Sequence, residues 1–291
     1  MIEAVHSPAR RSEPAPGWFE DALAQTPEVG EVVVDGGAIA FRTWGEPQDG
    51  TNDVLLVHGG AAHARWWDHI APLLAAHRRV VTVDLSGHGD SAHRRSYSVE
   101  RWADELVAVL DAAGLSPRPV VVGHSLGGLV TTALARRAEP QLAGAVIVDS
   151  PLYMTGPGPD FGTARVYASE AEAVARFRPV PAQPMLPWIA AHVAGTSVRE
   201  VPGGWGWKFD PAFIDTTDEL PSTVEGLRCR GVLIAGEHGI LTADARRALD
   251  ESAVAVAEIP GAGHAIMLDQ PIALLAALRG VLAGWQSSAS D

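Results

Sequence analysis

Short apolar segments alternate with amphipathic segments over most of the chain. The apolar segments are rich in valine, leucine and isoleucine and occupy residues 54–57, 80–83, 120–122, 145–148 and 232–235. Continuous apolar runs of this length are typical of strands that are buried on both faces. Amphipathic stretches such as residues 99–113, with Ser98 as N-cap and Gly114 just past the end, predict helices between the strands. The pattern therefore predicts a mostly parallel sheet with crossover helices.

Three segments depart from this alternation. Residues 31–35 and 38–44 flank Gly36 and Gly37, and this spacing predicts an antiparallel hairpin with both glycines in its turn. The residues up to about Pro27 show no clear period and predict an irregular lead-in. Residues 151–226 contain most of the proline-rich and tryptophan-rich sequence and predict an inserted cap. The predicted core then comprises residues 1–150 and 227–291.

Composition and charge narrow the class of protein. The chain has 291 residues, of which 47% are hydrophobic and 20% charged, as in an ordinary folded domain. The net charge of -13 argues against nucleic acid or an anionic membrane as the main partner, and leaves a small-molecule substrate. The single cysteine, Cys229, excludes an intramolecular disulfide. Without a secretory signal pattern or a run of 18 apolar residues, we expect a soluble cytoplasmic protein; the sequence leaves a homodimer open.

A candidate nucleophile follows the apolar run at residues 120–122. The segment Gly123-His124-Ser125-Leu126-Gly127 leads into a helix-compatible stretch, which is the strand-turn-helix context of a nucleophile elbow. Glycines two positions before and after the serine allow neighbouring backbone to pass close to the tight turn. The serine hydroxyl would then project at a helix N-terminus, where free N–H groups stabilise negative charge.

Two further segments supply the partners that a nucleophilic serine needs. His58-Gly59-Gly60 follows the run 54–57, and the N–H groups of Gly60 and Leu126 are the candidate oxyanion donors. His264 lies in a glycine-rich loop after the last predicted strand and is the candidate general base. The remaining loop histidines lack a compact ligand spacing, so we predict no metal site; they include His63, His69, His88 and His93.

Taken together, the chain resembles the α/β-hydrolase superfamily, in particular capped esterases, lactonases and C–C hydrolases. The matching segments are His58-Gly59-Gly60, Asp84-Leu85-Ser86-Gly87-His88-Gly89, Gly123-His124-Ser125-Leu126-Gly127-Gly128 and Gly261-Ala262-Gly263-His264. The resemblance implies an α/β fold with an eight-stranded, mostly parallel sheet, helices on both faces and an inserted helical cap. It also implies that no cofactor is required and that the segment beginning at Asp84 is a structural turn.

The third member of the triad departs from the commonest family pattern. Such families usually have Gly-Glu/Asp-x-Asp after the strand that is predicted here at 232–235, but this chain has Gly236-Glu237-His238-Gly239. Glycine therefore occupies the usual acid position. The alternatives are Glu237 and Asp149, which follows the predicted strand 145–148, a place where related families also carry their acid. We favour Asp149, and Glu237 remains the alternative.

The resulting hypothesis is a serine hydrolase for a small, rather apolar carboxylic ester or lactone. Ser125 attacks the carbonyl carbon, His264 transfers the proton and Asp149 orients the histidine. Four tryptophans could line the substrate pocket or anchor the cap: Trp66, Trp67, Trp205 and Trp207. The alternatives are a C–C bond hydrolase, a cofactor-independent dioxygenase with a His-Asp dyad, and a binding protein without turnover. An epoxide hydrolase or dehalogenase is disfavoured because these enzymes need a carboxylate nucleophile where Ser125 stands.

Overall fold

The predicted α/β-hydrolase fold is confirmed. A computed structural model describes residues 14–153, 164–215 and 223–286. Within these residues the main sheet has eight strands: β1 (Glu28–Val34), β2 (Gly37–Trp44), β3 (Val54–Val57), β4 (Val80–Val83), β5 (Val120–His124), β6 (Gly144–Val148), β9 (Arg230–Gly236) and β10 (Ala255–Ile259). A separate hairpin contains β7 (Val198–Val201) and β8 (Gly204–Trp207). The order of strands across the main sheet is β1-β2-β4-β3-β5-β6-β9-β10.

Helices connect these strands in the order expected for a parallel sheet. They are α1 (Gly17–Ala24), α2 (Ala71–Leu74), α3 (Val99–Ala112), α4 (Leu126–Arg136), α5 (Glu170–Ala175), α6 (Pro187–Thr196), α7 (Ala243–Asp250), α8 (Ile266–Asp269) and α9 (Pro271–Gly284). Strands β3, β4, β5, β6, β9 and β10 run parallel, whereas β2 pairs antiparallel with both β1 and β4. Ser98 caps α3 as predicted, because its side chain accepts a hydrogen bond from the Arg101 N–H.

The central strands β3, β4, β5 and β6 are buried on both faces, which explains their unbroken apolar runs. In β3, Val54 and Leu56 belong to a cluster with α1, α2 and α9, while Leu55 and Val57 belong to a cluster with α3 and α4. Side chains alternate between the two faces of a strand, so a strand covered on both sides needs apolar residues at every position. None of the helices in the described part of the chain is long and apolar enough to cross a membrane.

The first hairpin forms as predicted, but its turn lies one residue earlier. Val34 pairs directly with Gly37, so the connecting residues are Asp35 and Gly36 rather than the two glycines. Asp35 has φ 47° and Gly36 has φ 75°, the pair of positive values that a two-residue turn of this kind requires. Gly37 is instead the first residue of β2.

The irregular lead-in predicted up to about Pro27 is wrong where the structure describes it. Residues 17–24 form α1, and Phe19 is 4% exposed. The Phe19 ring contacts Trp188 of α6 at a centroid distance of 4.6 Å. The helix is short and weakly periodic, so its sequence does not reveal it; tertiary contacts with a distant aromatic residue stabilise it.

The predicted cap segment, residues 151–226, lies between β6 and β9. Its described part contains the helices α5 and α6, as expected for a helical cap, and in addition the hairpin β7–β8. Val201 pairs with Gly204, so Pro202 and Gly203 form the turn of this hairpin, and Gly203 has the positive φ, 90°, that the second turn residue requires. Parts of the predicted cap (154–163 and 216–222), of the lead-in (1–13) and of the second core segment (287–291) lie outside the described residues. The three-part division of the chain stays a prediction.

The hairpin turn yields a test of backbone strain. We expect Gly36→Ala to destabilise the protein by about 1–2 kcal/mol, because alanine is strained at a positive φ although nothing crowds the position. Gly280→Ala, at an exposed and equally open position within α9, should instead stabilise it by up to about 1 kcal/mol. Urea unfolding of both variants measures the difference. Equal effects of the two substitutions would contradict the assigned turn.

Candidate active site

The predicted site residues meet at one edge of the main sheet. Strands β3, β5, β6 and β9 are parallel neighbours in the sheet, so their carboxyl ends lie side by side. Ser125 directly follows β5, Asp149 directly follows β6, and His264 lies in the loop after β10. Ligands of open α/β sheets bind at this edge because the connecting loops leave crevices there.

Ser125 occupies a strained turn between β5 and α4. Its φ of 52° and ψ of −118° lie outside the regions that L-residues favour. A side chain at Gly123 would place its Cβ 2.1 Å from the Gly127 carbonyl oxygen, and one at Gly127 would lie 2.4 Å from the His58 carbonyl oxygen. The two glycines of the motif therefore permit the backbone to fold back tightly and present the serine at the start of α4.

His264 bridges Ser125 and Asp149. Its Nε2 lies 3.0 Å from Ser125 Oγ, and its Nδ1 lies 2.7 Å from Asp149 Oδ2. Because an ionised carboxylate only accepts hydrogen bonds, Nδ1 carries the proton and Nε2 is left to accept the serine hydroxyl. The arrangement is that of a nucleophile, a base and an orienting acid within hydrogen-bond reach of one another.

Asp149, rather than Glu237, contacts His264. Asp149 has no exposed surface, and its carboxylate accepts hydrogen bonds from the N–H groups of Gly236 at 3.1 Å and Ile240 at 3.0 Å. These donors stabilise a buried negative charge. Glu237 is exposed, and its Oε2 accepts a hydrogen bond from the Gly261 N–H at 2.7 Å. Glu237 thus closes a surface turn and does not reach the imidazole.

Gly239 explains why the acid lies after β6 rather than after β9. A Cβ at Gly239 would lie 2.2 Å from Asp149 Oδ1. The carboxylate of Asp149 therefore fills the space beside position 239, which is the usual acid position in the families that this chain resembles. The Asp149 carboxylate reaches this location from the neighbouring strand β6. A side chain at position 239 would collide with that carboxylate.

The predicted oxyanion donors border Ser125. A Cβ at Gly59 would lie 3.0 Å from Ser125 Cβ, so the backbone that leads to Gly60 passes directly against the serine. Leu126 is the first residue of α4, and its N–H has no acceptor within the helix. Asp84 holds the adjoining loop, because its Oδ1 accepts a hydrogen bond from the Ala64 N–H. Burial raises the pKa of Asp84 to about 6.

Two buried histidines support the site as neutral groups. His124 lies behind the serine, and its Nε2 contacts the His264 carbonyl oxygen at 3.0 Å. His58 Nε2 accepts a hydrogen bond from the Leu85 N–H, which leaves the proton on Nδ1, beside the Gly59 carbonyl oxygen. Burial lowers the pKa of His124 well below its usual value and that of His58 to about 4.

The four tryptophans occupy different environments. Trp67 has no exposed surface and packs in the core, so we no longer expect it to contact substrate. The ring centroids of Trp66 and Phe177 lie 5.9 Å apart, and those of Phe177 and Trp207 lie 6.2 Å apart. This series of aromatic rings joins the core to the cap segment. Trp205 is half-buried in β8. Substrate contacts by Trp66, Trp205 and Trp207 stay predictions.

The sequence reasoning missed Gln183, which contacts the loop that carries His264. Its amide bonds to the backbone of Ala265 and to the Asp269 carboxylate. A glutamine in a proline-rich segment has no sequence signature. The one available clue is Gly263, where a side chain would collide with this amide. Among residues 14–153, 164–215 and 223–286, no group of three or more His, Cys, Asp or Glu side chains is suited to a metal ion.

Comparison with known proteins assigns the family. The model of the alpha/beta hydrolase family matches residues 54–278. This chain belongs to the alpha/beta hydrolase family. The match spans the whole parallel core from β3 to α9 and includes Ser125, Asp149 and His264. The prediction that the protein is an enzyme of the hydrolase class is thereby confirmed.

Named relatives within the family include esterases. A pimeloyl-[acyl-carrier protein] methyl ester esterase of Aromatoleum aromaticum is 31% identical over 74% of this chain and 80% of its own. The esterase Rv0045c of Mycobacterium tuberculosis is 29% identical over 86% of this chain and 88% of its own. A second pimeloyl-[acyl-carrier protein] methyl ester esterase, from Sodalis glossinidius, is 38% identical, but only 40% of its length is matched.

Solved structures show the same architecture. A hypothetical protein from Pseudomonas aeruginosa PAO1 superimposes with a TM-score of 0.74 and 25% sequence identity. The superposition covers 89% of this alpha/beta hydrolase and 100% of that chain. The part of the chain that is not covered is therefore small, and the fold of the core is shared.

The geometry predicts which acid this alpha/beta hydrolase uses. We expect Asp149→Asn to lower turnover of an ester substrate about 10⁴-fold, as for the corresponding change in the Ser-His-Asp template. Asparagine would present an N–H donor or a weaker acceptor to His264 Nδ1 and favour the wrong tautomer. Glu237→Gln is the matched control, because its amide oxygen can still accept from the Gly261 N–H. Similar rates for both variants would refute the assignment.

The contact between Gly239 and Asp149 predicts that the acid can be moved. The Asp149→Gly variant leaves the space beside position 239 empty. Adding Gly239→Asp should raise turnover at least tenfold above that of Asp149→Gly. Gly239→Asp alone should be damaging, because its side chain meets the Asp149 carboxylate. Steady-state turnover of the two single variants and the double variant tests this. A double variant no more active than Asp149→Gly would contradict the shared location.

Proposed function

We propose that this protein is a carboxylic ester hydrolase that works through an acyl-enzyme on Ser125. The observation that supports the proposal is the continuous hydrogen-bonded series from Ser125 Oγ through His264 to Asp149, with distances of 3.0 and 2.7 Å. Ser125 lies in a strained turn at the start of α4, where the helix N-terminus stabilises a developing negative charge. Relatives named as esterases support an ester as substrate.

Acylation uses each group of the site once. Ser125 Oγ attacks the carbonyl carbon of the ester while its proton passes to His264 Nε2. The imidazolium that forms is stabilised by the buried carboxylate of Asp149. The carbonyl oxygen becomes negatively charged and accepts hydrogen bonds from the N–H groups of Gly60 and Leu126. The tetrahedral intermediate then expels the alkoxide, which takes the proton from His264 and leaves as an alcohol.

Deacylation repeats these steps with water as the nucleophile. His264 Nε2 takes a proton from water, the resulting hydroxide attacks the acyl carbonyl, and Ser125 leaves with the proton that His264 returns. The same oxyanion donors serve both halves of the reaction. Protons move only among the enzyme, water, the released alcohol and the released acid. The cycle therefore needs no co-reactant other than water.

The surroundings favour a small, rather apolar ester or lactone. The aromatic series Trp66, Phe177 and Trp207 extends from the loop after β3 into the cap segment, and such residues provide apolar walls for an acyl group. The net charge of -13 opposes strongly anionic substrates. Two of the relatives are named for a pimeloyl-[acyl-carrier protein] methyl ester, whereas the name of esterase Rv0045c specifies no ester, so the names support the reaction type more than any one substrate.

Covalent labelling tests the nucleophile directly. Treatment of the wild-type protein with a fluorophosphonate should add one adduct to the intact mass, because an activated serine displaces fluoride from phosphorus. Ser125→Ala should show no adduct and no hydrolysis of p-nitrophenyl butyrate above about 10⁻⁴ of the wild-type turnover.

The same experiment separates the proposal from its competitors. A pre-steady-state burst of p-nitrophenol, equal to one per active site, is expected if an acyl-enzyme accumulates. An unlabelled wild-type protein, or a Ser125→Ala variant that retains turnover, would refute nucleophilic catalysis by Ser125. It would instead favour the His-Asp dyad chemistry or a binding protein.

A further inference from the structure

One part of the cap segment is hydrogen-bonded to the loop that carries His264. Gln183 Oε1 accepts a hydrogen bond from the Ala265 N–H at 2.7 Å, and Gln183 Nε2 donates to the Ala265 carbonyl oxygen at 3.2 Å. The Leu186 N–H donates to the Leu268 carbonyl oxygen at 2.9 Å. A single amide side chain therefore satisfies both backbone groups of the residue that directly follows His264.

Asp269 closes this arrangement on the side of the loop. Its Oδ2 accepts hydrogen bonds from the Gly263 N–H at 2.6 Å and from Gln183 Nε2 at 3.0 Å. A Cβ at Gly263 would lie 2.9 Å from the Gln183 amide carbon, so the glycine allows the amide to approach. The residues on either side of His264 are thus both joined to the pair Gln183 and Asp269.

The core holds the histidine from the opposite side. His124, at the end of β5, contacts the His264 carbonyl oxygen through Nε2 at 3.0 Å. A carbonyl oxygen only accepts hydrogen bonds, so His124 Nε2 carries the proton and donates there. The backbone around His264 is consequently bonded both to the core through His124 and to the cap segment through Gln183. The position of the imidazole depends on both.

We propose that Gln183 is a positioning residue, which keeps His264 aligned with Ser125 and makes proton transfer depend on the docking of the cap segment. This inference rests on the proposed function. When the cap segment is docked, the Gln183 amide holds Ala265 and Nε2 stays within hydrogen-bond reach of the serine. When it is displaced, Ala265 loses both partners. A change of about 1 Å in the position of a catalytic group can cost 10²-fold in rate.

The expected signature is a loss of turnover without a comparable loss of substrate binding. His264 acts in both acylation and deacylation, so Gln183→Ala should slow both and lower kcat for p-nitrophenyl butyrate about 10- to 100-fold. KM should change by less than threefold, since both steps slow together. The rate constant for fluorophosphonate labelling of Ser125 should fall by a similar factor, because it requires the same base.

Lys208→Gln is the matched control for the loss of one polar contact between the cap segment and the core, because it leaves the contacts of Gln183 in place. Lys208 also joins the cap segment to the core, through Asp90 Oδ1 at 2.8 Å, but it does not contact the His264 loop. We expect this variant to keep kcat within threefold of wild type. Thermal unfolding of both variants shows whether a loss of activity follows a loss of folded protein.

A rescue experiment guards against an uninformative alanine variant. Gln183→Glu should lower kcat because it places a carboxylate against Asp269 Oδ2 and removes the donor to Ala265. Adding Asp269→Asn removes one of the two facing charges, so the double variant should regain at least threefold in kcat over Gln183→Glu, although the Ala265 carbonyl oxygen still lacks its donor. A residue with a purely packing role would show no such recovery, since the two substitutions barely change side-chain volume.

The outcomes separate this inference from the proposed function. If wild-type protein is labelled but Gln183→Ala loses less than threefold in kcat, the positioning role is wrong while the nucleophile stands. An equal loss in Lys208→Gln, or no recovery in the double variant, overturns it as well. If wild-type protein is not labelled at all, the proposed function fails and this inference fails with it.

Discussion

The site depends on the hydrogen bond between the Asp149 carboxylate and His264 Nδ1. A buried carboxylate is costly unless its oxygens are satisfied, and Asp149 meets this condition with the N–H groups of Gly236 and Ile240 besides the imidazole. Gly236 is the last residue of β9 and Ile240 lies in the loop that follows it, whereas Asp149 follows β6. The bond therefore requires β6 and β9 to be parallel neighbours, as they are. It also requires a residue without a side chain at Gly239 and a positive φ of 39° at Asp149 itself.

The same constraint extends to the nucleophile. Ser125 reaches His264 only because Gly123 and Gly127 allow β5 and α4 to meet at a sharp turn, and because Gly59 lets the loop after β3 pass beside it. Backbone strain at Ser125 is balanced by bonds from the surrounding structure, such as its N–H to the Val148 carbonyl oxygen at 3.0 Å. A serine so placed needs no large movement to act as a nucleophile.

The cap segment contacts both the loop after β3, which passes beside Ser125, and the loop that carries His264. Its aromatic residues contact Trp66 beside the proposed oxyanion loop, and Gln183 contacts the backbone next to His264. Differences between family members in this segment can therefore alter the alignment of the catalytic groups as well as the shape of the pocket. In the proposed function the core carries the reaction, and the inserted segment is where we expect substrate preference to arise.

The sequence by itself determined the sheet and singled out Ser125 as the candidate nucleophile and His264 as the candidate base. The apolar runs and the elbow around Ser125 are local patterns, and a parallel sheet brings the carboxyl ends of its strands to one edge. Tertiary structure alone placed the Asp149 carboxylate, and not Glu237, against His264, formed α1 through Phe19 and Trp188, and placed Gln183 beside Ala265. Each of these depends on contacts between residues far apart in the chain. Local periodicity cannot encode such contacts, because they arise only when several elements pack together.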